Sequence, residues 1–245
     1  MAIFDIHSFL GGSYIPGICN NTATITGLMQ ARGIESSLLF SAHARAIDPV
    51  AGNRILKATI EQSPALYGCL ITHTNRIDSS VTVMRELMNH RKFLAMAVVG
   101  THDLEPVQRI VADDIINAYR RYGKPLVMFA HNASMATSIL DIAKTFSMVK
   151  IIMVGMGGHD WRSAIAAAQE TTNIYLDTSG VLDQAKLPAA IEAIGAHRIL
   201  FGSGSPHTDP AAALGLLEEC NLAPETRNRI LFANAQKVFG LDQQV

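Results

Sequence analysis

The sequence predicts a single (β/α)8 barrel of the TIM type, an α/β fold, and three observations carry that reading. Short apolar runs alternate with longer amphipathic segments from one end of the chain to the other. Most of those runs are apolar on both faces, as strands of a parallel sheet covered by helices must be. The alternation repeats eight times in 245 residues, about the length that such a barrel needs. Composition does not shift along the chain and no low-complexity tract interrupts it, so residues 1–245 read as one domain.

The elements follow in order. Ile3–His7 is the first strand. Leu10–Asn21 is the longest irregular piece, with Gly11, Gly12, Pro16 and Gly17, and would lie over the barrel mouth. Thr22–Ala31 reads as a helix stopped by Arg32-Gly33. Ser37–Ser41 is the second strand, and helix Ala51–Gln62 ends near Ser63-Pro64. Leu66–Thr72 is the third strand. Its helix, Ser79–Asn89, repeats apolar residues at Val81, Met84, Leu87 and Met88, the helical period. Phe93–Val99 is the fourth strand, and helix Val107–Tyr122 stops at Gly123. Strands Leu126–Ala130, Lys150–Val154 and Asn173–Asp177 alternate with helices Ser134–Phe146, Trp161–Thr171 and Ala185–Ile194. Arg198–Gly202 is the eighth strand, followed by helices Ala211–Cys220 and Pro224–Phe239.

Composition narrows the function classes. The chain is 49% hydrophobic and 17% charged, with a formal net charge of −1. No basic stripe marks a nucleic-acid surface. No apolar run approaches the ~18 residues of a membrane span. No basic, apolar leader opens the sequence, so a cytoplasmic protein is expected. Cys19, Cys69 and Cys220 are too few and too widely spaced for a disulfide framework or a Cys-x-x-Cys site, and read as reduced thiols.

In a barrel of this type the loops after the strands carry the chemistry. His7 ends the first strand, and His43, His73, His102, His131, His159 and His207 follow the second, third, fourth, fifth, sixth and eighth. The seventh ends in Asp177-Thr178-Ser179. One histidine per loop is ordinary for a surface. Seven of the nine on one face favour a polar, titratable pocket, because imidazole changes charge near neutral pH.

The order of several motifs resembles the amidohydrolase-related family, a branch of the metal-dependent amidohydrolases. Asp5-Ile6-His7 is similar to its opening strand, and Ala51-Gly52-Asn53 and Leu66-Tyr67-Gly68 to its next pattern. Gly157-Gly158-His159-Asp160-Trp161, Asn173-Ile174-Tyr175-Leu176-Asp177-Thr178-Ser179-Gly180, Arg198-Ile199-Leu200-Phe201-Gly202-Ser203, and Asn234-Ala235 with Phe239-Gly240-Leu241 continue it. The resemblance implies hydrolysis or decarboxylation of small carbonyl or ring compounds. It also implies a divalent metal, often zinc, held by a His-x-His pair, histidines ending the fifth and sixth strands, and an aspartate ending the eighth. Such a metal lowers the pKa of bound water toward neutrality.

The departures from that ligand set are concentrated. His7 keeps the first ligand position. Phe9 stands at the second, Phe129 at the fifth-strand histidine, Gly155 at the sixth-strand histidine and Gly204 at the eighth-strand aspartate. Three readings follow. The protein is an amidohydrolase-like enzyme that binds a small molecule and works without the metal. It is an inactive relative that binds a ligand or partners an active copy. Or it has a metal site rebuilt from shifted histidines, since His131 lies two residues beyond Phe129 and points the same way about 7 Å further along. Candidate catalytic residues are His7, His131, His159 and His207. Candidate ligand-binding residues are His73, His102, Phe9 and Phe129. No metal ligand is assigned, and a divalent metal is expected only under the third reading. The expected partners are a small molecule and a second copy or active relative, without nucleic acid or membrane.

Local signals have plainer readings. The glycines of Gly155–Gly158 and Gly202–Ser205 make tight turns or cradle an anion. Asp160 and Asp209 read as helix N-caps. Asp5 lies deeper on the face of His7 and reads as structural. Phe9 and Phe129 make either a filled core or an apolar ligand site.

Overall fold

The computed structural model describes residues 2–12, 17–100 and 104–241. Eight parallel strands form its sheet in chain order: β1 (Phe4–Gly12), β3 (Ser36–Ser41), β4 (Leu66–His73), β5 (Phe93–Val99), β6 (Leu126–Phe129), β7 (Ile151–Val154), β8 (Ile174–Asp177) and β9 (Ile199–Leu200). A ninth, β2 (Cys19–Asn20), pairs antiparallel with the end of β1. The sheet curls until its ends meet. Ile6 N–H donates to the Phe201 carbonyl at 2.9 Å and Phe9 N–H to the Ser205 carbonyl at 2.7 Å, and Ser8 and Ser205 form a parallel bridge. This is the predicted (β/α)8 barrel.

Helices α1 (Thr22–Arg32), α3 (Pro49–Ile60), α4 (Ile77–Leu87), α5 (Arg109–Tyr119), α6 (Ala133–Thr145), α7 (Trp161–Gln169), α8 (Lys186–Ile194) and α9 (Pro210–Glu219) cover the strands. A short α2 (Ala42–Ala46) precedes α3, and α10 (Pro224–Asn228), one π-helical stretch (Arg229–Ala233) and α11 (Asn234–Phe239) close the chain. The strands are buried almost throughout, and one apolar core runs through the barrel and under the helices. None of the described helices is long and apolar enough to cross a membrane. The three cysteines are free.

Several expectations are corrected. The predicted Leu10–Asn21 loop is partly ordered as strand: Gly11 pairs with Asn20 and Gly12 with Cys19, because glycines that read as loop can also extend the end of a strand. Residues 13–16 of that segment lie outside the described residues. The unforeseen α2 is too short to show a helical period, and is capped by Ser41, whose Oγ accepts from Ala44 N–H at 3.1 Å. Asp48 accepts from Val50 and Ala51 N–H and starts α3 two residues early, with Pro49 in the first turn. The eighth parallel strand is cut to two residues because the chain beyond it turns to meet β1. Asp209 caps α9 as expected. Asp160 does not cap α7; its carboxylate accepts from Ala133 N–H, at the start of α6.

The polar residues of the motifs hold the scaffold. Asn53 accepts from Ile71 N–H and donates to the Ile71 and Pro49 carbonyls, 2.6–2.9 Å away. Asn173 donates to the carbonyls of Ala143, Phe146 and Val149. Asn234 donates to those of Ala196 and Ile199, both at 2.7 Å. Each is a buried amide that ties backbone carbonyls of neighbouring segments together. Gly52 allows α3 to touch α2, since a Cβ there would lie 2.1 Å from Ala44 N.

Candidate active site

Alternation along β1 turns Asp5, His7 and Phe9 toward the barrel axis. All three are buried. The Asp5 carboxylate accepts from His7 N–H at 3.1 Å, Ser203 N–H at 2.8 Å and the Ser203 hydroxyl at 2.6 Å. Burial raises its pKa against the lowering effect of those donors. Asp5 therefore ties β1 to the segment after β9, the structural role expected of it.

Above it, the His7 ring is held on one edge. Its Nδ1 lies 2.8 Å from Ser179 Oγ and 3.3 Å from Asp177 Oδ2. Gly155 N–H donates to Asp177 Oδ1 at 2.9 Å and to Ser179 Oγ at 3.1 Å, which fixes both partners. Thr178 Oγ1 exchanges hydrogen bonds with Gly202, accepting from its N–H at 3.0 Å and donating to its carbonyl at 3.1 Å. The opposite edge, Nε2, has no hydrogen-bond partner among the described residues although the residue is only 6% exposed.

The faces of the imidazole are aromatic. Ring centroids of Phe40, Phe9 and Phe129 lie 5.4, 5.5 and 5.9 Å away, and Phe9 and Phe129 stack on each other at 6.1 Å. The Arg45 guanidinium, from α2, sits 4.2 Å from the Phe129 centroid and 5.3 Å from that of Phe9, within cation–π range. His7, Phe9, Phe129 and Arg45 line a cavity of about 690 Å³ at the C-terminal end of the strands, together with Leu104, His131, Gly155, Ser179 and His207. Burial, followed by the charges of Arg45 and His7, lowers the His207 pKa below its ordinary value.

The structure thus brings His7, Phe9, Phe129, His131 and His207 to one cavity. His73 does not line it: its Nε2 lies 2.9 Å from the Ala44 carbonyl and its N–H donates to Ser80 Oγ, so the ring serves the junction of β4 with α2. His159 is exposed on the Gly158–Asp160 turn and does not line it either, because that 3₁₀ turn carries its side chain outward. His102 lies outside the described residues. Sequence reasoning missed Arg45, which sits on the unforeseen α2, and Lys186, a lone cation at an apolar helix start. Ser179 and Asp177 were visible as the end of a strand without an assigned role.

The positions that the sequence resemblance gives to metal ligands are occupied as follows. Phe9 and Phe129 form the aromatic wall. Gly155 adopts φ +86°, and a Cβ there would lie 2.8 Å from the Ala130 carbonyl oxygen; Gly204 adopts φ +75°. Left-handed backbone of this kind suits glycine and disfavours the histidine or aspartate of the ligand set. Among the described residues no three His, Cys, Asp or Glu side chains gather closely enough to hold a metal ion.

A model of the family described as amidohydrolase matches residues 36–241. No curated protein sequence matches the chain. Three solved structures are similar in fold. The 2,6-dihydroxybenzoate decarboxylase from Rhizobium superposes with a TM-score of 0.80 at 18% identity, over 98% of this chain and 99% of that one. The dihydroxybenzoic acid decarboxylase from Polaromonas sp. JS666, with bound manganese and the inhibitor 2-nitroresorcinol, gives 0.79 at 16% identity over 98% and 97%. The 5-carboxyvanillate decarboxylase from Sphingomonas paucimobilis gives 0.77 at 11% identity over 98% and 99%.

Proposed function

The chain belongs to the amidohydrolase family, and from that premise we propose that its barrel mouth binds a small planar ring acid without the family's metal and that His7 exchanges a proton with it. One observation carries the reading. A buried imidazole is fixed through Nδ1, walled by three phenylalanine rings and left with Nε2 unpartnered among the described residues, beside a ligand-sized cavity. A buried polar atom without a partner is costly, and a ligand donor or a transferred proton would satisfy it.

The donor set does not suit a divalent cation. Phenylalanine and glycine side chains offer no lone pair, and a catalytic zinc needs three protein ligands. Hydrolysis at neutral pH would then lack its usual source of hydroxide. Decarboxylation makes a smaller demand and matches what the structural neighbours are named for. His7 takes a proton from solvent at Nε2 as the acid binds, and the imidazolium gives that proton to the ring carbon bearing the carboxylate. The carbon–carboxylate bond then breaks, its electron pair returns to the ring and carbon dioxide leaves. His7 keeps its Nδ1 proton and is left with an unprotonated Nε2, ready for the next proton from solvent. Phe9 and Phe129 supply a stacking surface for a planar substrate, and Arg45, above those rings, faces its anionic group. Binding without turnover, the inactive-relative reading, uses the same walls.

The test measures metal content and binding together, on untagged full-length protein. Elemental mass spectrometry should find well under one equivalent of metal. Calorimetric titration with 2,6-dihydroxybenzoate, with EDTA present, should give binding that His7→Ala abolishes. Release of carbon dioxide under the same conditions separates enzyme from inactive binder. About one equivalent of zinc or manganese, with binding lost on its removal, would overturn the proposal.

A further inference from the structure

Lys186 opens α8 and is 1% exposed. Its ammonium donates to the carbonyls of Thr178 at 3.0 Å and Ser179 at 2.8 Å. Those residues follow Asp177, so the lysine clamps the turn whose side chains hold His7 Nδ1. Two carboxylates act on its charge, Asp177 from β8 and Asp183 from the segment before α8. Around His7 the charged and titratable neighbours are Asp5, Asp177, Arg45 and His207. Burying an ammonium is expensive. Desolvation lowers the Lys186 pKa to about 8, so the fold bears a cost here that an apolar side chain would avoid.

The site gives that charge a use. Among the described residues Asp177 Oδ2 has no hydrogen-bond partner, and it faces His7 Nδ1 at 3.3 Å. A carboxylate only accepts. An unprotonated Nδ1 would set two lone pairs against each other, whereas an Nδ1–H is shared between Ser179 Oγ and Asp177. We propose that Lys186 is a positioning residue for His7: its ammonium fixes the Asp177-Thr178-Ser179 turn so that His7 rests with its proton on Nδ1 and presents an unprotonated Nε2 to the cavity. This deepens the reading of His7 as the proton-exchanging group and rests on it for its purpose, but its test needs no ligand.

The test is ¹⁵N NMR of the full-length labelled chain, with the His7 ring signals identified by their loss in His7→Gln. Wild type should show a protonated Nδ1 and an unprotonated Nε2. In Lys186→Met the second tautomer should appear and the Nδ1 proton should exchange with solvent at least tenfold faster, while near-ultraviolet circular dichroism stays unchanged. Lys186→Gln, shorter and uncharged, keeps at most part of the clamp on the two carbonyls; it covers a methionine variant that fails to fold and should show the same change to a smaller extent. A wild-type ring protonated on Nε2, or a folded variant whose His7 signals match wild type, overturns the proposal. Failure of dihydroxybenzoate to bind bears on the proposed function and leaves this result untouched.

Discussion

His7 Nδ1 lies 2.8 Å from Ser179 Oγ, joining the first strand to the end of the seventh parallel strand across 172 residues of sequence. The same hydroxyl accepts from Gly155 N–H, so one small side chain orders a ring and a backbone turn. Replacing Ser179 with alanine takes one of two acceptors from the buried Gly155 N–H and from His7 Nδ1, leaving each with Asp177 alone. The variant should lose about 0.5–1.5 kcal/mol of stability. Urea unfolding followed by fluorescence measures it, and a loss below a few tenths of a kcal/mol would show that the hydroxyl orders neither group.

Gly202 is held small by the site itself. A Cβ there would lie 2.4 Å from Asp177 Oδ2 and 3.0 Å from His7 Cβ. Gly202→Ala must push Asp177 aside, at a cost of about 1–3 kcal/mol. It should also weaken binding of 2,6-dihydroxybenzoate more than an alanine at Gly215, where a Cβ meets nothing. Equal effects of the two substitutions on binding would count against a coupled site.

Arg45 is expected to carry affinity through two features at once, charge and a flat guanidinium stacked on Phe129 and Phe9. Arg45→Gln should weaken binding of a benzoate-type anion at least tenfold, about 1.4 kcal/mol. Arg45→Lys should recover only part of it, since an ammonium neither stacks nor binds a carboxylate bidentately. Full recovery with lysine would mean that charge alone matters.

Lys186 makes a prediction about pH. Its folded pKa, about 8 against an ordinary 10.5, means that the folded state binds fewer protons than the unfolded state between those values. Stability attributable to this residue is therefore depressed below pH 8 and recovers as pH rises toward 10.5, by roughly 1.4 kcal/mol per pH unit across the window. The unfolding free energy of wild type relative to Lys186→Met should rise between pH 8 and 10. A flat difference would place the folded pKa near the ordinary value.

The aromatic wall stands where the sequence resemblance places metal ligands, and the geometry allows a metal site to be built there. His7, Phe9 and Phe129 have ring centroids 5.5–6.1 Å apart. Phe9→His with Phe129→His should create a three-imidazole site taking up about one equivalent of zinc, as three-histidine catalytic sites do. Wild type treated the same way should take up far less. Gly155→His should instead destabilise the fold, because its φ of +86° and the nearby Ala130 carbonyl oppose any side chain. Comparable zinc uptake by wild type and the double variant would show a metal site that the described residues do not reveal.

The barrel was legible in the sequence because its signals are local and repeated. Doubly apolar runs at regular intervals, helix periods, and stops such as Gly33 and Gly123 each depend on nearby residues alone. The crowding of histidines at the strand ends followed from the same pattern, and His7, His131 and His207 do meet at one cavity with Phe9 and Phe129. Sequence position could not decide where each ring points. His73 turns to a carbonyl of the adjacent helix and His159 to solvent, because a loop's direction is set by packing between elements. Arg45 and Lys186 stayed hidden for the same reason: one lies on a five-residue helix with no period to read, and the other looks like any helix-start cation until the barrel folds its stem inward. The sequence by itself determined the barrel and the phenylalanine and glycine that stand where the resemblance places ligands, since both are matters of residue type and order. Only the tertiary structure decided what stands there instead: rings drawn from β1, β3 and β6 stacked under Arg45, and a histidine aimed by a turn far along the chain. Contacts between residues so distant in sequence exist only once the sheet has closed.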